Sequence, residues 1–197
     1  MNMKSTDHLP RELRLEILGA FESWIKEYVM QGYKPFLLTF MFHELPGNGR
    51  TMATIMRQDI EHFYRTILKW IVRKPRTAPI DQLPKFIVLP DRPVFKYQKQ
   101  ELDDVEINNG VHMHGIFLIP KISRLTCELD EHVRSKIHNY TNREYTRIRH
   151  IDVQKIKSRV GYTTGYALKG LKYDAAGYDD LLILPMPRSD LPPKQNR

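Results

Sequence analysis

The chain has 197 residues, of which 31 are lysine or arginine and 23 are aspartate or glutamate, so its formal net charge is +8. Its 41% hydrophobic and 27% charged residues predict a folded globular protein and exclude a disordered basic tail. Cys127 is the only cysteine, which excludes an intrachain disulfide and a cysteine-based zinc site and is typical of a reducing, intracellular setting. We expect neither a signal peptide nor a membrane-spanning helix, so the positive charge predicts an anionic polymer or an anionic lipid surface as the partner.

Hydrophobic periodicity predicts helices and short apolar strands that follow one another along the chain. The predicted helices cover residues 6–33, 51–73, 126–139 and 152–172. The predicted strands cover residues 35–42, 85–89 and 145–150. We expect Thr51 to cap the second helix, and Pro90 and Pro93 to end the second strand.

The Asn108-Asn109-Gly110 turn signal lies between two extended runs and predicts a β-hairpin within residues 94–120. The whole pattern predicts an α+β fold, with a mainly antiparallel sheet covered by helices. We assign one domain to residues 1–175 and a proline-rich tail to residues 176–197. No dinucleotide-binding or P-loop glycine motif occurs in the sequence.

His112 and His114 are two residues apart in the second run of this hairpin, so both side chains project from one face of the sheet. This spacing suits two metal ligands, and imidazoles among apolar residues need a polar partner. A three-residue turn places Glu106 opposite His112 and Asp104 opposite His114, whereas a two-residue turn places Ile107 opposite His112. The alternative interpretation is a pair of partly exposed histidines that bond to their neighbours.

Tyr162, Tyr166, Lys169 and Tyr173 form one stripe of the last predicted helix. A phenol has a pKa of about 10 and is a poor nucleophile at neutral pH unless a cation or metal favours its oxyanion. Lys169, one turn after Tyr166, can supply that cation or hold a phosphate. Tyrosines at this spacing also pack at the edges of ordinary cores, which is the alternative interpretation.

Three segments follow one another in order: an apolar strand over residues 36–40, then His112-Met113-His114, then Tyr166-Ala167-Leu168-Lys169 with Tyr162 four residues before. Together they resemble the three motifs of the HUH endonucleases, specifically the rolling-circle replication initiators of plasmids and phages. The resemblance implies a ferredoxin-like or RRM-like palm. It also implies a site-specific DNA nickase and strand transferase.

The resemblance further implies that His112 and His114 bind Mg²⁺ or Mn²⁺ together with an upstream acidic or polar residue. No motif fixes this third ligand. The preferred hairpin register favours Glu106, and Asp104 and Asp91 are the alternatives.

By the same resemblance, Tyr166 would attack the scissile phosphate and remain joined to DNA through a 5′-phosphotyrosine bond, with Lys169 as its cationic helper. Tyr162 would be the extra tyrosine that performs a second transfer. The implied partners are single-stranded DNA or an origin hairpin, with a host helicase and polymerase. The implied location is the cytoplasm of a bacterial or phage-infected cell.

Two groups of basic residues predict where DNA phosphates bind. One group precedes the tyrosines and comprises Arg143, Arg147, Arg149, Lys155, Lys157 and Arg159. The other closes the second helix and comprises Arg65, Lys69, Arg73, Lys74 and Arg76. Either group, taken separately, also fits a solvated surface.

Two other functions fit these motifs. A small transposase would use the same chemistry on transposon ends. A non-catalytic nucleic-acid-binding module would use the sheet for binding, with structural histidines and tyrosines.

Overall fold

A computed structural model describes residues 10–91, 107–173 and 176–186. The strands are β1 (Lys34–Phe42), β2 (Lys85–Asp91), β3 (His112–Ile119), β4 (Ile148–Lys155) and β5 (Leu182–Leu184). In the described part of the chain they form one antiparallel sheet in the order β4-β1-β3-β2-β5. The helices are α1 (Arg11–Met30), α2 (Gly49–Ile71), α3 (Leu129–Ser135), α4 (His138–Thr141), α5 (Val160–Ala167) and α6 (Lys169–Lys172). This confirms the predicted α+β fold with an antiparallel sheet flanked by helices.

Side chains of each strand alternate between the two faces of the sheet, and each face carries its own apolar cluster. On one face, Phe40 and Phe117 pack against Phe63 of α2, so we call it the α2 face. On the other, Leu37 and Ile116 belong to the cluster that includes residues of α1, α5 and α6, so we call it the α1 face. None of the described helices is long and apolar enough to cross a membrane.

The last predicted helix is wrong over its first part, because residues 148–155 form β4. Val153, Ile156 and Val160 have helical spacing, but so short an apolar pattern does not distinguish a helix from an edge strand followed by a helix. Arg159 has left-handed backbone angles (φ 55°) and turns the chain into α5. The nucleophile candidates therefore lie on a short helix that begins at Val160.

Other boundaries also differ from the prediction. The third helix is divided into α3 and α4, and α2 is capped by Asn48, whose side chain accepts a hydrogen bond from the Thr51 amide at 3.1 Å. β5 pairs with β2, so the sheet extends beyond residue 175, where we placed the end of the domain. Residues 6–9 and 187–197 lie outside the described residues.

The pairing predicted for the hairpin is wrong. Ile107–Gly110 forms a short 3-10 turn, and β3 pairs with β1 on one side and with β2 on the other. The residue opposite His112 is Asp91 of β2, a partner distant in sequence that a local turn signal cannot reveal. Residues 92–106, which include Asp104 and Glu106, lie outside the described residues.

β2 continues through Pro90 to Asp91 instead of ending before the proline. β5 pairs only with residues 86–88, so at Pro90 no described strand lies on that side of β2. A proline is tolerated where a strand borders no neighbour that needs its amide hydrogen. The two added residues place Asp91 at the end of the strand beside His112.

Gly115 keeps β3 close to β2, because a Cβ at this position would lie 2.6 Å from the Ile87 carbonyl oxygen. We expect Gly115→Ala to lower the free energy of unfolding by about 1–3 kcal/mol, since the backbone cannot yield without shifting the sheet. Gly19→Ala in α1 is the control, because no atom lies within 4 Å of its Cβ and we expect a gain of about 0.5–1 kcal/mol. Urea denaturation measures both, and equal effects of the two substitutions would contradict the close approach.

Candidate metal centre

Asp91, His112 and His114 converge at one end of the α1 face. His112 Nε2 lies 3.0 Å from His114 Nε2. Asp91 Oδ2 lies 3.3 Å from His112 Nε2 and 3.4 Å from His114 Nε2. Asp91 and His114 are buried and His112 is partly buried, so the three form a group that could hold a metal ion.

The far nitrogen of each imidazole is held by a second residue. His112 Nδ1 donates to the Gly110 carbonyl oxygen at 2.9 Å, which leaves Nε2 as the atom that can bind a metal. His114 Nδ1 lies 2.8 Å from Thr39 Oγ1, its cross-strand neighbour in β1. When His114 also donates through Nδ1, its Nε2 lone pair points at the same place as Nε2 of His112, an arrangement that a bound cation stabilises. Bonds of this kind orient histidines that bind metals.

Asn108 fixes the turn that precedes the histidines. Its buried side chain accepts a hydrogen bond from the Leu45 amide at 2.8 Å and donates one to the His43 carbonyl oxygen at 3.0 Å. Its left-handed backbone (φ 57°) is a conformation that asparagine adopts more readily than most residues. Asn108 thereby ties the loop after β1 to the turn that presents Gly110 to His112, a role that the turn prediction missed.

Lys169 contacts the same carboxylate oxygen as the histidines, with Nζ 2.7 Å from Asp91 Oδ2. Gly170 allows this approach, because a Cβ there would lie 2.9 Å from the Pro90 carbonyl oxygen. The start of α6 therefore sits directly on the end of β2. Asp91 Oδ2 is buried, and the nitrogen atoms of His112, His114 and Lys169 surround it. Among the described groups, none of these contacts has the angles of a good hydrogen bond.

The contacts between Asp91, the two histidines and Lys169 determine the protonation states of Asp91 and His114. Burial alone would raise the pKa of Asp91, but the contacts with His112, His114 and Lys169 hold it well below its usual range. Burial lowers the pKa of His114, and the neighbouring His112 and Lys169 lower it further, against the opposing effect of Asp91. At neutral pH the site thus offers a carboxylate and a neutral imidazole, the forms that bind a metal.

Tyr166 lies beside the histidine pair. Its ring centroid is 5.3 Å from that of His114, and Lys169 Nζ is 4.9 Å from the Tyr166 centroid. Tyr166 is 41% exposed and Tyr162, one turn earlier on α5, is 75% exposed. Tyr166 and Lys169 are therefore the members of the predicted stripe that border the metal ligands. Neither Tyr162 nor Tyr166 is packed into a core.

The basic group predicted before the tyrosines does not form one continuous surface. Arg149 and Lys155 lie near opposite ends of β4, about 20 Å apart along the strand. The His43 amide donates to the Arg147 carbonyl oxygen at 2.8 Å, which places the start of β4 beside the loop held by Asn108. Burial, with the charges of Arg143 and Arg149, lowers the pKa of His43. Lys155 is paired with Glu128 at 3.0 Å. Only the first part of the group adjoins the metal end of the sheet.

We expect Lys169→Met to tighten Mn²⁺ binding by about threefold to tenfold, because the ammonium group and the metal compete for Asp91 Oδ2. Isothermal titration calorimetry on the metal-free protein measures this affinity without any reaction. Lys172→Met is the control, since Lys172 lies over the Tyr173 ring instead. Weaker binding after Lys169→Met would show that the lysine organises the carboxylate for the metal rather than competing with it.

The donor set limits the cations that fit. Two imidazoles and one carboxylate suit borderline divalent cations such as Fe²⁺ or Zn²⁺, and the transition-metal ion Mn²⁺ accepts nitrogen ligands more readily than Mg²⁺, which prefers oxygen. Three protein ligands at one side leave coordination positions for water or a substrate oxygen.

Comparisons of the chain with protein-family models, with curated proteins and with solved structures found no match.

Proposed function

We propose that this chain is a metal-dependent tyrosine endonuclease and strand transferase that nicks single-stranded DNA at an origin to start rolling-circle replication. The observation that carries the proposal is the position of Tyr166 and Lys169 directly beside Asp91, His112 and His114. A phenol, a cation and a metal-ligand group on one surface are the parts that phosphodiester transesterification requires.

Asp91, His112 and His114 would hold a divalent cation, with Mn²⁺ fitting their mixed donors better than Mg²⁺. When bound, this cation supplies a Lewis acid that polarises a non-bridging oxygen of the scissile phosphate. Gly110 and Thr39 keep the two imidazoles in place for it.

Tyr166 would be the nucleophile. Its phenolic oxygen gives its proton to solvent water and bonds to phosphorus, and the bond from phosphorus to the 3′ oxygen breaks. The electron pair leaves with the 3′ oxygen, which takes up a proton from solvent water to become a hydroxyl. The products are a 5′-phosphotyrosine link on the protein and a free 3′-hydroxyl that a polymerase can extend.

Lys169 would serve as the cation beside the attacking oxygen, since its Nζ lies close to both the Tyr166 ring and Asp91. An ammonium group near a phenol favours the oxyanion and so strengthens the nucleophile. Tyr162 is exposed on the same helix, one turn away, and would accept the strand in a second transfer that closes the replicated circle.

The substrate would be single-stranded DNA, as the resemblance to the HUH endonucleases implies. Arg143 and Arg149, near the loop at the metal end of the sheet, would contact its phosphates without reading bases. A host helicase and polymerase would unwind and extend the DNA.

The test is covalent capture from a mixed pool of labelled single-stranded oligonucleotides with Mn²⁺. We expect an adduct that survives SDS and is absent with EDTA. Oligonucleotide binding without any adduct, from a pool that contains every short sequence, would instead assign the chain to the non-catalytic binding modules.

A further inference from the structure

A cleft with a volume of about 490 Å³ lies at the end of the sheet opposite the metal centre. It is formed where α2 ends, where β1 begins and where β3 ends. Its lining includes Arg73 and Lys74 from the segment after α2, and Lys121 and Arg124 from the segment after β3. Lys121 and Arg124 belong to neither basic group predicted from the sequence.

These four cations have no neutralising partner among the residues that the structure describes. Within residues 10–91, 107–173 and 176–186, none of the four forms an ion pair. Among the described residues that line the cleft, Asp81 is the one that is acidic. By contrast, Lys155, in the basic group before the tyrosines, is paired with Glu128. The cleft thus concentrates positive charge that the described part of the chain leaves unbalanced.

The fold holds the cationic segments around the cleft. The Arg124 amide donates to the Ile71 carbonyl oxygen at 2.9 Å, which joins the segment after β3 to the end of α2. The Lys121 stem lies across Gly32, where an added Cβ would be 3.3 Å from Lys121 Cδ. Apolar side chains, among them Ile71 and Ile122, line the cleft between the cations.

We propose that this cleft binds the sugar-phosphate backbone of the DNA at a distance from the cleaved phosphate. The proposal rests on the proposed function for the identity of the ligand. Unpaired cations around an apolar lining suit a chain of phosphates joined by sugars, and they position a strand without reading its sequence. Binding of a DNA backbone would balance the charge of these four cations.

The geometry sets the length of DNA that reaches both places. β3 spans about 23 Å from His112 to Ile119, which is about seven nucleotides at the stacked rise of one duplex strand and fewer for an extended single strand. A nucleic acid shorter than this span cannot occupy both the metal centre and the cleft. The cleft therefore adds more to the affinity for a long strand, which reaches both places, than to the affinity for a short one.

The experiment compares Lys121→Gln/Arg124→Gln with the control Lys26→Gln/Arg134→Gln, which removes the same charge from two exposed ion pairs elsewhere. Fluorescence anisotropy measures binding of mixed-sequence single strands of about 4 and about 30 nucleotides across a salt series. We expect the cleft variant to lose more affinity for the long strand than for the short strand, with the salt slope for the long strand reduced by about 1.4. The control should bind both strands like the wild type.

Equal loss in the cleft variant and the control, or no loss in either, would overturn the proposal. Binding to phosphatidylserine vesicles that is lost in the cleft variant, with DNA binding unchanged, would assign the cleft to lipid headgroups and overturn it also. The adduct assay tests the nuclease function independently of this binding experiment. If the protein binds long DNA through the cleft but never forms an adduct, the cleft proposal stands and the nuclease proposal is wrong.

Discussion

Tyr166→Phe is expected to abolish the covalent protein–DNA adduct while leaving Mn²⁺ binding and folding unchanged. The substitution removes only the phenolic oxygen, which is the atom that would bond to phosphorus. The ring that packs beside His114 is kept, so the neighbouring ligands stay in place. Because no other group replaces the lost oxygen, we expect adduct formation to fall by at least about 1,000-fold. Gel analysis of SDS-treated reactions measures the adduct, and calorimetry measures the metal affinity.

Tyr162→Phe is the matched control, since it removes the same atom one turn away on α5. We expect it to leave the first cleavage largely intact and to reduce only the second transfer, measured as rejoining of the cleaved strand. If Tyr162→Phe abolishes the adduct while Tyr166→Phe does not, the two tyrosines have the opposite roles. An adduct that persists in the double variant would exclude both.

Asp91→Asn is expected to weaken Mn²⁺ binding by at least about 100-fold. It replaces a carboxylate whose oxygen faces both Nε2 atoms with a neutral amide, and loss of even an outer partner of a metal ligand typically weakens binding 10- to 100-fold. The substitution also leaves the Lys169 ammonium without its carboxylate, so circular dichroism must show that the variant is folded. Calorimetry or Mn²⁺ electron paramagnetic resonance measures the affinity.

Asp152→Asn and Glu106→Gln are the comparisons for this measurement. Asp152 is opposite Thr39 in the pairing of β4 with β1, so it tests whether any carboxylate near the site suffices. Glu106 is the third ligand that the sequence favoured. We expect both variants to bind Mn²⁺ like the wild type, and a loss in Glu106→Gln that exceeds the loss in Asp91→Asn would restore Glu106 as the ligand.

The sequence was sufficient for the parts of the site that depend on local spacing. Residues two apart in a strand share a face, which brought His112 and His114 together. The three-residue spacing of Tyr166 and Lys169 predicted one helical stripe; in the structure they lie on α5 and α6, which are divided at Leu168, and the two side chains are still neighbours. Apolar runs likewise predicted β1 and most of β2. These features need no knowledge of which strands are neighbours.

The parts that the sequence could not supply depend on pairing across the chain. Asp91 was one of three alternatives because Pro90 was expected to end the strand, and because a local Asn-Gly signal suggested a partner for β3 that lies nearby in sequence. The actual partner, β2, precedes β3 by twenty residues, and no residue pattern records that register. Thr39 was missed for the same reason, since it contacts His114 from a strand 75 residues away in the sequence. Asn108 was part of the predicted turn, but its bonds to His43 and Leu45, which are distant in sequence, were missed.

The identity of the residue that carries the DNA tests the central claim most directly. The adduct formed with Mn²⁺ is digested with nuclease and protease, and its peptides are sequenced by tandem mass spectrometry. Our account predicts a nucleotide joined through its 5′ phosphate to Tyr166, in a reaction that EDTA prevents. A nucleotide on a residue away from the Asp91, His112 and His114 group, or an adduct that forms equally well in EDTA, would contradict it.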